Sequence, residues 1–167
     1  MTMDKQFNWD ATTFFASLTA KNRFAQDNAF TFCRVSGLDG FEEALQQMQS
    51  ATALVAVSDT SQGYMEINNS PHTRRVKTIF LAMRHAIDDM TARQTCMDTM
   101  RELFRQFMSV LIQEKTQLEQ HQLYLDPRIA FNEIDQYFFS GCACAYFQIS
   151  IDTYTDLRYN ADEWNNE

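Results

Sequence analysis

The stretch "CACAYFQISIDTYT" (142–155) decides the fold, because its side chains alternate in the way that those of a half-buried β-strand do. The odd-numbered positions are almost all small or apolar, whereas the even-numbered positions mix polar and apolar residues. Successive side chains of a strand point to opposite faces of the sheet. The pattern therefore predicts a strand with one face turned towards a core.

The two cysteines of this strand could indicate packing, or metal or redox chemistry. Cys142 and Cys144 point to the same side of a strand, about 6.6 Å apart, which does not favour a disulfide between them. A zinc site needs four ligands, and the remaining cysteines and histidines are not spaced as a second pair: Cys33, Cys96, His72, His85 and His121. Cysteine is among the most readily buried residues. We interpret both thiols as core packing, with metal or redox chemistry as the alternative.

The rest of the chain predicts an α+β fold with a single mixed or antiparallel sheet. Helical spacing indicates a helix that begins at Asp10 and a long amphipathic helix over about 95–119, both packed on the sheet. A short helix is expected at 40–50. Strands or extended segments are expected at 29–37, 52–58 (a central strand), 72–86 and 129–139, with a hairpin where the turn 59–63 leads into 64–68.

Length and composition favour one domain over 1–167, with 160–167 as a polar tail. The longest apolar runs are too short to cross a bilayer, and the first ten residues lack the pattern of a signal peptide. We therefore expect a cytoplasmic protein without a membrane partner. Incorporation into an assembled particle remains open.

Charge is unevenly distributed along the chain. The formal net charge is −8, yet residues 70–112 carry seven basic side chains against four acidic ones, and residues 113–167 carry three against ten. We predict that the basic cluster contributes to a subunit interface, meeting the acidic region of a neighbour; its members are Arg74, Arg75, Lys77 and Arg84. The alternative is that these charges solvate separate faces. The acidic remainder argues against nucleic-acid binding.

Catalytic motifs are missing from the sequence. It has no Gly-x-Ser-x-Gly, His-Glu-x-x-His or Walker-type motif, and its paired acids are typical of solvated surfaces. We assign no catalytic, cofactor-binding or metal-binding residue and identify no small-molecule substrate. An enzyme would need a pocket in which Asp88, His85, His121 or a cysteine converge.

The order of elements, together with the closing "GCACAYFQISIDTYTDL" (141–157), resembles tail-completion or tail-terminator proteins of tailed bacteriophages. The resemblance implies a small α+β protein that forms rings at the end of a phage tail and has no enzymatic activity. Its partners would be further copies of itself and other structural proteins. The resemblance carries no motif from which functional residues could be assigned.

Two function classes follow. The first is a structural assembly protein whose basic and acidic surfaces meet head to tail in a closed ring. The second is a small ferredoxin-like regulatory or ligand-binding module that forms a dimer.

Overall fold

The computed structural model describes residues 9–36, 52–134 and 141–165. The helices are α1 (Ala11–Lys21), α2 (Arg23–Asp27) and α3 (Met90–Gln120), and a 3₁₀ turn covers Ala161–Glu163. The strands are β1 (Phe30–Val35), β2 (Ala53–Ser58), β3 (Gln62–Glu66), β4 (His72–Arg84), β5 (Leu123–Leu125), β6 (Ala130–Glu133) and β7 (Cys142–Tyr154). The short helix predicted at 40–50 lies outside the described residues.

Seven strands of the described residues form one mixed sheet with the order β1-β2-β4-β7-β5. β1 and β2 are parallel, and the other pairs are antiparallel. β3 lies beside the first half of β4, and β6 lies beside β7. This architecture confirms the α+β class with a mixed sheet, a long helix and an N-terminal helix.

β2 is the central strand that its apolar run predicts. All six of its residues are buried, and it lies between β1 and β4. The expected hairpin after β2 is wrong in its partner, because β3 pairs with β4 and not with β2. β3 is fully exposed, so its side chains carry no hydrophobic pattern that could specify the neighbouring strand.

Asp10 caps α1 as predicted. Its carboxylate accepts hydrogen bonds from the backbone amides of Thr12 and Thr13. Burial alone would raise the pKa of Asp10, but these bonds and one from the Thr13 hydroxyl outweigh it and lower the pKa. The helix ends at Asn22, whose side chain accepts from the amide of Ala25 and so begins α2.

α3 begins at Met90, five residues before the predicted start, because the Asp89 side chain caps it by accepting from the amide of Ala92. At 1.5 Å per residue, its 31 residues span about 46 Å. Its buried stripe comprises Cys96, Met97, Met100, Leu103, Phe107, Leu111 and Leu118. Phe104 and Met108 of this helix are partly buried against the same core.

Two hydrophobic clusters lie on opposite faces of the sheet. The larger one joins α1, α3 and the odd-numbered residues of β7, including Ala143, Phe147 and Ile149. The second contains Leu54, Ala56, Phe80, Ala82 and Cys144. Both faces of the sheet centre are therefore buried, which explains why β2 is apolar at every position.

Candidate functional site

The cysteine pair lies where a packing role requires it. Cys144 is buried in the second cluster, and burial, followed by the nearby Cys142, raises the pKa of its thiol to about 12. Burial also raises the pKa of Cys142. All four cysteines of the chain are free thiols. A thiol with so high a pKa stays protonated at neutral pH and is a poor nucleophile.

The four residues of the predicted basic interface do not form one patch. All lie on β4, but Arg74 and Arg84 share one face of the strand, whereas Arg75 and Lys77 share the other. Arg74 and Arg84 are ten residues apart, or about 33 Å along the strand. Arg75 and Lys77 are therefore the pair that the structure brings together.

Arg74 is engaged within the chain. Its Nε and one terminal nitrogen donate to the two carboxylate oxygens of Asp152 at 2.8 and 2.7 Å, and its other terminal nitrogen donates to Asp126 at 3.3 Å. Its guanidinium carbon also lies 5.7 Å from the centroid of the Tyr64 ring. The hydrogen bonds from Arg74 hold the pKa of Asp152 below its usual range. These contacts link β3, β4 and β7. They also pair the charge of Arg74 within the chain, although the sequence predicted that Arg74 would contact a neighbouring subunit.

Arg75 and Lys77 line a groove of about 660 Å³ on the helix-covered side of the sheet, which we call the distal groove. Its floor includes Ile149 and Ile151. Trp9 forms part of one wall, and its indole nitrogen is held by Glu114 of α3 at 3.0 Å. The groove combines an apolar floor with two cations, Arg75 and Lys77, and two acids, Asp10 and Asp156.

The two cations of the distal groove differ in the hydrogen bonds and salt bridges that they form. Lys77 donates to the backbone carbonyl oxygens of Ser58 and Asp59 at 3.1 and 2.8 Å. Arg75 is exposed and forms no salt bridge within the described ranges. Arg75 is therefore the cation of β4 that can meet an external anion.

Exposed apolar side chains are concentrated on the half of the sheet that carries this groove, on both of its faces. We define the distal half of the sheet as β3, β5, residues 72–78 of β4 and residues 148–154 of β7. This half and the segments that continue from it carry most of the exposed large apolar side chains of the described residues: Tyr64, Met65, Ile67, Tyr124, Tyr154, Leu157, Tyr159 and Trp164. Sequence reasoning missed them, although Tyr64, Met65 and Ile67 in "QGYMEI" (62–67) were an available signal.

A smaller cavity of about 230 Å³ lies between α3, β6 and β7. Its lining includes Met97, Met100 and Phe104, and the ion pair between Arg101 and Glu133, at 2.7 Å, borders it. Hydrogen bonds from Arg101 lower the pKa of Glu133. The ion pair joins α3 to β6 and contributes to the packing of these two elements.

His121 lies apart from the other residues considered for catalysis. His85 and Asp88 precede α3, whereas His121 follows it, so the length of that helix separates them. Within the described residues, no three His, Cys, Asp or Glu side chains are grouped so that they could hold a metal ion. In the same part of the chain, no helix is both long enough and apolar enough to span a bilayer.

The distal groove and the exposed apolar residues around it are thus the features of the described chain that favour an external partner. Comparison with known proteins gives no independent assignment: no protein-family model matches the chain, and no curated protein matches it significantly.

Proposed function

We propose that this protein is a non-enzymatic assembly subunit that binds further copies of itself, as a tail-completion or tail-terminator component of a tailed bacteriophage does. The observation that carries the proposal is the concentration of exposed apolar side chains on the distal half of the sheet and on the segments that continue from it. Ile67 is 84% exposed and Trp164 is 64% exposed. Such a concentration of apolar side chains is typical of surfaces that bind other proteins.

Charge supports association between unlike surfaces. Arg75 of β4 has no acidic partner among the described residues, whereas residues 113–167 carry a net charge of −7 (three basic against ten acidic residues). Because Arg74 is already bound to Asp152 and Asp126, the contact between subunits uses Arg75 rather than the whole basic cluster. A contact between unlike surfaces closes into a ring when the rotation between neighbours permits it.

Sedimentation velocity across a range of protein and salt concentrations tests the proposal. We expect a closed oligomer that weakens as salt rises, because screening reduces the charge contribution. Arg75→Glu should weaken the oligomer. Arg23→Glu is the matched control, since Arg23 is an exposed cation of α2 and does not line the groove. A full chain that stays monomeric at every concentration would refute self-assembly.

A ligand-binding module is the second candidate function, and the volume of the distal groove favours it. Grooves and clefts of about 300–1,000 Å³ commonly hold small molecules. A thermal-shift screen of anionic metabolites distinguishes the two functions. A saturable rise in melting temperature that Arg75→Glu abolishes, in a protein that forms no assembly larger than a dimer, would favour the module.

A further inference from the structure

One cation of the distal groove lacks an acidic partner within the described chain. Asp10 faces the groove but caps α1, and Asp156 at the rim is paired with Arg158 at 2.7 Å. Lys77 is held by two backbone carbonyl oxygens. Arg75 is the charged group of the lining that lacks such a partner in the part of the chain that the structure describes. The groove therefore suits a ligand with both apolar and acidic groups.

A segment with this chemistry continues directly from the rim of the groove. Residues 157–165, which we call the arm, follow the end of β7, and every one of them is exposed. The arm displays the large apolar side chains of Leu157, Tyr159 and Trp164. The Tyr159 and Trp164 rings stack at a centroid distance of 6.3 Å.

The acidic residues of the arm lie beside its aromatic ones. Asp162 and Glu163 immediately precede Trp164 and form no salt bridge with any described residue. The side chain of Asn160 caps the 3₁₀ turn that presents them by accepting from the amide of Asp162. Two acids and two aromatic rings are therefore displayed together on a short, locally ordered segment.

We propose that the arm of one copy docks in the distal groove of a second copy. Asp162 and Glu163 meet Arg75, while Trp164 and Tyr159 cover the apolar floor of the groove. A guanidinium next to an indole or phenol ring adds a cation–π contribution. This inference rests on the proposed self-assembly and names the surfaces that perform it. Because arm and groove are different surfaces, each subunit would bind one neighbour at each, as a ring requires.

Complementation between two defective variants tests the docking. The groove variant is Arg75→Glu, which keeps an intact arm. The arm variant combines Asp162→Lys, Glu163→Lys and Trp164→Ala, and it keeps an intact groove. We expect each variant alone to associate at least about tenfold more weakly than the unchanged chain. Mixed in equal amounts, they should form a one-to-one complex that grows no further, since only one arm and one groove remain functional.

Restoration of charge within one chain provides a second test. A chain with Arg75→Glu, Asp162→Lys and Glu163→Lys should regain association through reversed charges. Circular dichroism and thermal unfolding check the fold of every variant, and we expect little change because all four substituted residues are exposed.

The outcomes separate this inference from the proposed function. If the full chain assembles and the arm and groove variants assemble equally well, the docking is refuted and self-assembly stands. If both variants are monomeric but do not combine when mixed, the docking is again refuted. If the full chain itself is monomeric throughout, self-assembly is refuted together with the docking.

Discussion

β4 runs through two different environments, and the contrast between them separates the fold from its candidate function. Over residues 79–82 the strand is buried between β2 and β7 and is entirely apolar. Over residues 72–78 the same strand is only partly buried or exposed, and it pairs with the fully exposed β3. Packing in the core explains the residue types of the first region, whereas it does not explain those of the second.

The central region and the distal half of the sheet are stabilised by different interactions. The central region is stabilised by hydrophobic burial on both faces of the sheet. The distal half relies on the ladders between β3, β4 and β7, on the bonds of Arg74 to two carboxylates, and on a 2.6 Å hydrogen bond between the hydroxyls of Thr73 and Thr155. Its apolar side chains remain in solvent, which is consistent with the proposed role in assembly.

The largest effect is expected from a substitution in the central region. Phe147→Ala removes a ring that is 1% exposed and contacts the rings of Phe15 and Phe104. We expect the free energy of unfolding to fall by about 3–5 kcal/mol, because a cavity is left behind. Phe131→Ala is the matched control, since its ring is 59% exposed. Urea unfolding measures both, and equal losses would contradict the assignment of Phe147 to the core.

An intermediate effect is expected from the ion pair of the distal half. Arg74→Met leaves Asp152 and Asp126 without their partner, and we expect a loss of roughly 1.5–3 kcal/mol at neutral pH. Arg34→Met is the control, because the pair of Arg34 and Asp59 is more exposed and should contribute little.

The dependence of this loss on pH has a definite sign. Arg74 lowers the pKa of Asp152 in the folded state below that of an unfolded aspartate, which is about 3.9. The stabilisation is thus fully present above the unfolded pKa and is lost as the pH falls through the folded pKa. Unfolding curves of the unchanged chain and Arg74→Met should differ by the full amount near pH 6–7 and begin to converge as the pH falls below about 4. A difference that grows on acidification would exclude this explanation.

The smallest loss of global stability is expected from a substitution at Gly63 of β3, although its local effect should be clear. A Cβ atom at this position would lie 1.7 Å from the backbone oxygen of Arg74, so Gly63→Ala forces β3 away from β4. Because β3 is exposed, we expect a global loss of less than about 1 kcal/mol. Hydrogen exchange should increase over 62–66 and 72–76 but not in β2. Gln62→Ala is the control; if both variants exchange alike, β3 is not held by this close approach.

The sequence was sufficient to predict elements with a strong internal period. The alternation of β7, the apolar run of β2 and the stripe of α3 are local patterns, and each corresponds to an observed element. The partner of β3 was not predictable, because pairing depends on residues that are distant in sequence and β3 has no buried face. The start of α3 was missed because its first turn is exposed and its capping residue, Asp89, was interpreted only as a surface acid.

The candidate site was predicted only in part. Counting basic residues identified Arg74 and Arg75 together, but the bond between Arg74 and Asp152 joins positions 78 residues apart and cannot be deduced from composition. The alternation of strand side chains could have separated Arg74 from Arg75. The groove itself depends on Trp9, Ile151 and Met65, which come from three separate elements, so only the folded chain reveals it.

The long ladder between β4 and β7 has a consequence for folding kinetics. β4 ends at Arg84 and β7 begins at Cys142, so the most extensive pairing of the sheet closes a loop that includes all of α3. Closing such a loop costs entropy before the ladder can compensate for it, which slows folding. During synthesis on the ribosome, one edge of β4 stays unpaired until β7 has emerged. The unpaired edge of β4 is therefore open to aggregation until β7 has been made.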